Sequence, residues 1–107
     1  MDRKESWNEF LDEEKKNVLL VRLICSEDFK NLDEFAIVYC AIKDDASHEV
    51  MRYDCSKREA VNVHQFFRKP TVKRYLKKEK SWETLYEFIT NIKKNWIIYR
   101  NEYFGNI

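Results

Sequence analysis

A chain of 107 residues with 44% apolar and 36% charged side chains and a net charge of +1 suits one folded domain around one core. That balance excludes a disordered chain, and the longest apolar runs, Val18 to Val21 and Phe35 to Ile42, fall well short of the roughly 20 residues that cross a bilayer. Gly105 is the only glycine and Pro70 the only proline, which excludes glycine-rich phosphate loops and Gly-dependent tight hairpins, and the sequence implies no cofactor.

Residues 1–10 mix acids and bases without an apolar stretch, so no secretory signal is expected and the cytoplasm is the expected compartment. Trp7, Phe10 and Leu11 recur at helical spacing behind Ser6, a candidate N-cap, and predict a short amphipathic helix over 6–16. Val18 to Cys25 then reads as a strand, and Phe35 to Ile42, apolar on both alternating faces, as a central one. Asp44-Asp45-Ala46-Ser47 supplies turn chemistry, with His48 read as turn surface.

Val50 to Cys55 and Ala60 to Arg68 alternate around Ser56-Lys57-Arg58-Glu59 and predict a further hairpin that Pro70 ends. Beyond a basic connector, Ser81 caps a helix of about 22 residues, in which Trp82, Leu85, Ile89, Ile92, Trp96, Tyr99 and Tyr103 form one stripe. The expected architecture is α+β: a four-stranded antiparallel meander, a short N-terminal helix, and a long C-terminal amphipathic helix on one face. Cys25, Cys40 and Cys55 lack metal or disulfide spacing and read as buried thiols, with a Cys25–Cys40 bridge as the alternative. Abundant Lys and Glu with one Gln lean towards a thermophile.

Charge divides unevenly: residues 1–54 hold 8 bases and 14 acids, residues 55–107 hold 12 bases and 5 acids. Arg68, Lys69, Lys73, Arg74, Lys77, Lys78 and Lys80, with Tyr75 among them, read as phosphate contacts and a stacking ring for RNA. The competing reading is the solvated face of a short helix with Val72, Tyr75 and Leu76 packed inward. On the long helix, Trp96, Ile97, Ile98 and Phe104 offer apolar surface for a partner, a homodimer being the expected assembly.

His64 lies mid-strand, sharing an alternating face with Asn62, Phe66 and Arg68. A hairpin turning about Arg58 sets Arg52 opposite His64 and Asp54 opposite Asn62, whereas a slip of one residue brings Tyr53 there instead. In the first register an imidazole, a guanidinium and a carboxylate converge, a set suited to phosphodiester chemistry or to ordinary cross-strand pairing. Asp54 is expected to raise the His64 pKa by pairing.

Met51-Arg52-Tyr53-Asp54, followed by His64 in Val61-Asn62-Val63-His64-Gln65-Phe66-Phe67, resembles the TumE-like family of small toxins. The likeness covers Val50 to Pro70 best and the following helix loosely. It implies a toxin component acting on RNA, a helix-turn-helix antitoxin as partner, and roles for Arg52, Asp54 and His64. The sequence departs from the family at Asn62, where the first histidine of His-x-His stands, and at Ser56 to Glu59, where a Gly-bearing turn is expected. A non-enzymatic adaptor, binding through the long helix or a sheet edge, is the other functional expectation.

Overall fold

The β-branched and aromatic residues of the first three quarters of the chain pair into one sheet, and the seven-residue stripe near the C-terminus winds into the helix that covers it. The computed structural model describes residues 2–105. Among these, six strands run in chain order across an antiparallel meander: β1 (Asp2–Phe10), β2 (Asn17–Ser26), β3 (Leu32–Lys43), β4 (Ala46–Cys55), β5 (Asn62–Gln65) and β6 (Val72–Tyr75). A single helix, α1 (Trp82–Phe104), follows.

The four-stranded meander with an N-terminal helix is therefore corrected to six strands and one helix. Residues 6–16 form no helix: Asp2–Phe10 pairs along its whole length with β2, from Asp2 opposite Ser26 to Phe10 opposite Val18. Trp7 faces the helix side with Val21, while Phe10 falls on the other face, so the helical spacing of the two is a coincidence of the strand. The basic connector is likewise neither a coil nor a short helix at Val72–Tyr75, which bonds to β5 as the outer strand. The predicted strand over 60–68 shrinks to Asn62–Gln65.

β3 lies inside the sheet, between β2 and β4, as its two apolar faces require. Asp44 and Asp45, with φ of 54° and 62°, turn β3 into β4 with Lys43 opposite Ala46. Two successive left-handed residues are what a tight two-residue hairpin needs, so aspartate here does the work expected of glycine. His48 belongs to β4 and packs against Tyr103 and Phe104, with ring centroids 5.7 and 5.3 Å away, rather than standing on a turn.

Ser81 caps α1, its hydroxyl accepting from the Thr84 amide, and Gly105 ends the helix at φ 72°. Leu85, Phe88, Ile89 and Ile92 are buried against Leu19, Val21, Ile37, Tyr39 and Val63. Tyr53 stacks on Phe88 at 3.9 Å between centroids, and the buried Tyr39 hydroxyl donates to Asn17 Oδ1 at 2.6 Å. All three cysteines are buried and free; burial pushes each thiol's pKa up, and no Cys25–Cys40 bridge forms. Among the described residues no helix is long and apolar enough to cross a membrane.

Candidate functional site on the open sheet face

With α1 on one face, strand alternation leaves the other face uncovered. The register sets Asn8, Leu20, Val38, Arg52, His64 and Lys73 in one row across that face. Ser6, Arg22, Ala36, Asp54, Asn62 and Tyr75 form the adjacent row. Arg52 stands opposite His64 and Asp54 opposite Asn62, the register in which the three candidate residues share a face.

A bulge between β3 and β4 tightens the cluster. The register shifts after Tyr39 opposite Met51, so Glu49 pairs with Cys40 and Val50 is the extra residue. Three residues apart in a regular strand, Glu49 and Arg52 would lie on opposite faces. The bulge restores them to one face, and Arg52 Nη1 bonds Glu49 Oε2 at 3.1 Å. On the other side Arg52 Nε lies 2.9 Å from Asp54 Oδ2. The N–H points off that line, so Arg52 Nε and Asp54 Oδ1 are both buried without a hydrogen-bond partner among the described residues.

His64 Nε2 is 3.7 Å from the same Asp54 oxygen, beyond hydrogen-bond length. Burial holds the imidazole pKa below its ordinary value, the Arg52 charge adds to that, and the pull of Asp54 does not overcome the two. The expected rise is thus reversed, because burial of the imidazole, with the Arg52 charge beside it, outweighs the pull of Asp54. Phe66 lies nearly parallel to the imidazole at 5.7 Å, with the Arg52 guanidinium 5.7 Å from the same Phe66 ring.

Asn62 has a structural role in the β4–β5 turn. Fully buried, its Nδ2 donates to Asp54 O, Glu59 Oε1 and Ala60 O at 3.0–3.1 Å, which ties the β4–β5 turn together. Glu59 also accepts from Lys73 Nζ at 2.9 Å and from the Tyr75 hydroxyl at 3.1 Å; the Lys73 bond is the main cause that lowers its pKa. A pocket of about 530 Å³ opens beside Asp54, lined by Lys4, Ser6, Arg22, Glu34, Ala36, Ser56 and Glu59 among others. Among the described residues no three His, Cys, Asp or Glu side chains gather to hold a metal ion.

The basic residues do not form one stripe. Lys73 and Tyr75 face the open side next to His64 and Asn62, whereas Arg74 falls on the helix side opposite Val63. Lys78 bonds Glu87 of α1 at 3.0 Å, Arg68 lies over the Phe67 ring, and Lys69 and Lys77 are exposed. Of the four apolar helix positions, Ile97 and Ile98 are each 56% exposed. Trp96 and Phe104 are partly buried, Trp96 edge-on to Tyr39 and Phe104 against His48.

Phe66 stands beside His64, on the face where strand alternation put it. Sequence reasoning missed Glu49 and Glu59 beside the cluster, and Lys4, Ser6 and Arg22 in the pocket wall; these depend on the bulge, the turn and β1. No protein-family model matches the chain, and neither a curated protein nor a solved structure matches it.

Proposed function

We propose that this protein is a small toxin-like component that acts on RNA, with the open sheet face as its working surface and a helix-turn-helix antitoxin as its partner. The observation that carries the reading is a partly exposed imidazole, His64, beside Arg52 and Asp54 on an uncovered face with a pocket at its side. The resemblance over Val50 to Pro70, which rests on the same residues, points the same way. His64 takes the proton from an RNA hydroxyl as that oxygen bonds to phosphorus, Arg52 faces the negative charge that grows on the phosphate, and the P–O bond to the next nucleotide breaks, its oxygen leaving with a proton from water. Asp54, through its ion pair, fixes where the guanidinium stands. Exposed Lys69 and Lys77, with Lys73 on the same edge, guide a polyanion there.

Expression in a test cell is expected to slow growth and alter RNA, and His64→Ala to restore both. Normal growth with intact RNA under wild-type expression refutes the reading, as does equal toxicity of the His64→Ala protein.

One observation favours a second reading, an adaptor that binds through α1: Ile97 and Ile98 stand side by side and exposed. There Ile98→Asp abolishes a stable complex while leaving the fold intact, and a complex that survives the change removes this reading.

A further inference from the structure

Among the described residues the sheet ends at β1, whose outer edge meets no other strand. Edge strands are ordinarily blunted by proline, a bulge, shortness or charged side chains. β1 has no proline, bulge or shortness: it runs for nine residues in unbroken register and leaves Trp7 39% and Phe10 49% exposed. What guards it is charge of both signs, Asp2, Arg3, Lys4, Glu5 and Glu9, and the arrangement of those charges is specific.

We propose that β1 pairs antiparallel with β1 of a second copy, about a twofold axis through Ser6, joining two sheets into one. In an antiparallel pair opposed residues either both exchange hydrogen bonds or both do not, and the two kinds alternate along a strand. Self-pairing must therefore centre on a residue, not between two. Centred on Ser6, every residue of Asp2–Phe10 finds an opposite. Arg3 then meets Glu9 of the partner twice, Lys4 meets Asn8, Glu5 meets Trp7, and Ser6 meets its copy.

The neighbouring registers fail on charge. Centring on Glu5 sets that carboxylate against its own copy, centring on Trp7 sets Glu5 against Glu9 on both sides, and centring on Lys4 opposes two ammonium groups. Like charges directly opposite destabilise a strand pair, whereas opposite charges stabilise it. The pattern is thus complementary to itself in the one register that uses the whole strand, which identifies the occupant as another copy of this chain. On the helix side Glu9 already bonds Lys93 at 3.0 Å, so the partner's Arg3 would extend an existing ion pair.

The test is a cysteine placed on the axis. Opposed side chains on one face bring their Cβ atoms to about 4.5–5.5 Å, a small strand movement from the roughly 3.5–4.5 Å of a disulfide, and the native Cys25, Cys40 and Cys55 are buried and do not compete. Under mild oxidation Ser6→Cys is expected to run as a covalent dimer and Asn8→Cys as a monomer. In sedimentation, Arg3→Glu is expected to weaken dimerisation at least tenfold, and adding Glu9→Arg to restore it. A wild-type monomer at all concentrations, crosslinking through Asn8→Cys in place of Ser6→Cys, or a dimer indifferent to Arg3→Glu overturns the proposal.

Discussion

Asn62 and His64 sit two residues apart on one strand face and do different work. Asn62 shares one amide nitrogen among three acceptors in a fully buried position. Asn62→Ala is expected to cost about 2 kcal/mol in urea unfolding, since it leaves a buried carbonyl and the turn without their donor; a loss below about 0.5 kcal/mol would show that the clamp is dispensable. His64 predicts a pH dependence. Its folded pKa is below its ordinary 6.5, so as pH falls through that value the unfolded chain takes up the proton first. The stability that neutral His64 contributes is complete above that pH and is lost on acidification down to the folded pKa. Thermal unfolding between pH 7 and pH 5 should therefore fall more steeply for the wild type than for His64→Gln, and parallel curves would contradict the assignment. The opposition of Arg52 and His64 was legible from hairpin parity alone. The contact of Glu49 with Arg52 was not, because it depends on a bulge at Val50 that no local residue pattern announces.

At the scale of elements, legibility followed how many residues share one period. The seven-residue stripe of α1 and the apolar runs of β2 and β3 carry enough repeats to exclude the alternative. β1 has two apolar residues, Trp7 and Phe10, among charges, which with Leu11 beyond it fit a helix as well as a strand, and pairing along all of β2 decided the matter. β6, four residues long, is likewise set by β5 and not by its own composition. The β3–β4 turn yields a prediction here. Asp44 and Asp45 both hold positive φ, a geometry that Asn-Gly occupies with less strain. Asp44→Asn with Asp45→Gly should stabilise the protein by about 1 kcal/mol in urea unfolding; a loss of stability would mean that the aspartates make contacts the turn depends on. At the start of α1, Ser81→Ala should cost about 1 kcal/mol by removing the acceptor for the Thr84 amide, and an unchanged midpoint would contradict the cap.

Across the whole molecule, one helix on a six-stranded sheet leaves a face and an edge without cover, and both proposals arise there. The face holds a cluster that is nearly charge-balanced within itself, Arg52 between Glu49 and Asp54 and Lys73 against Glu59, with His64 as its neutral member. Attraction for RNA must then come from lysines around the cluster, and binding should weaken steeply with salt. The division of chemistry from charge was invisible in the sequence, where the basic stretch of residues 68–78 appeared continuous; folding sends Arg74 to the helix side and ties Lys78 to Glu87. The central claim, that neutral His64 on the open face performs chemistry on RNA, is tested most directly by incubating purified protein with end-labelled single-stranded RNA. Wild type should cleave it, with the rate lowered at least about 100-fold by His64→Ala in a protein of unchanged fold. Intact RNA with the wild type, or equal cleavage by the variant, would contradict it.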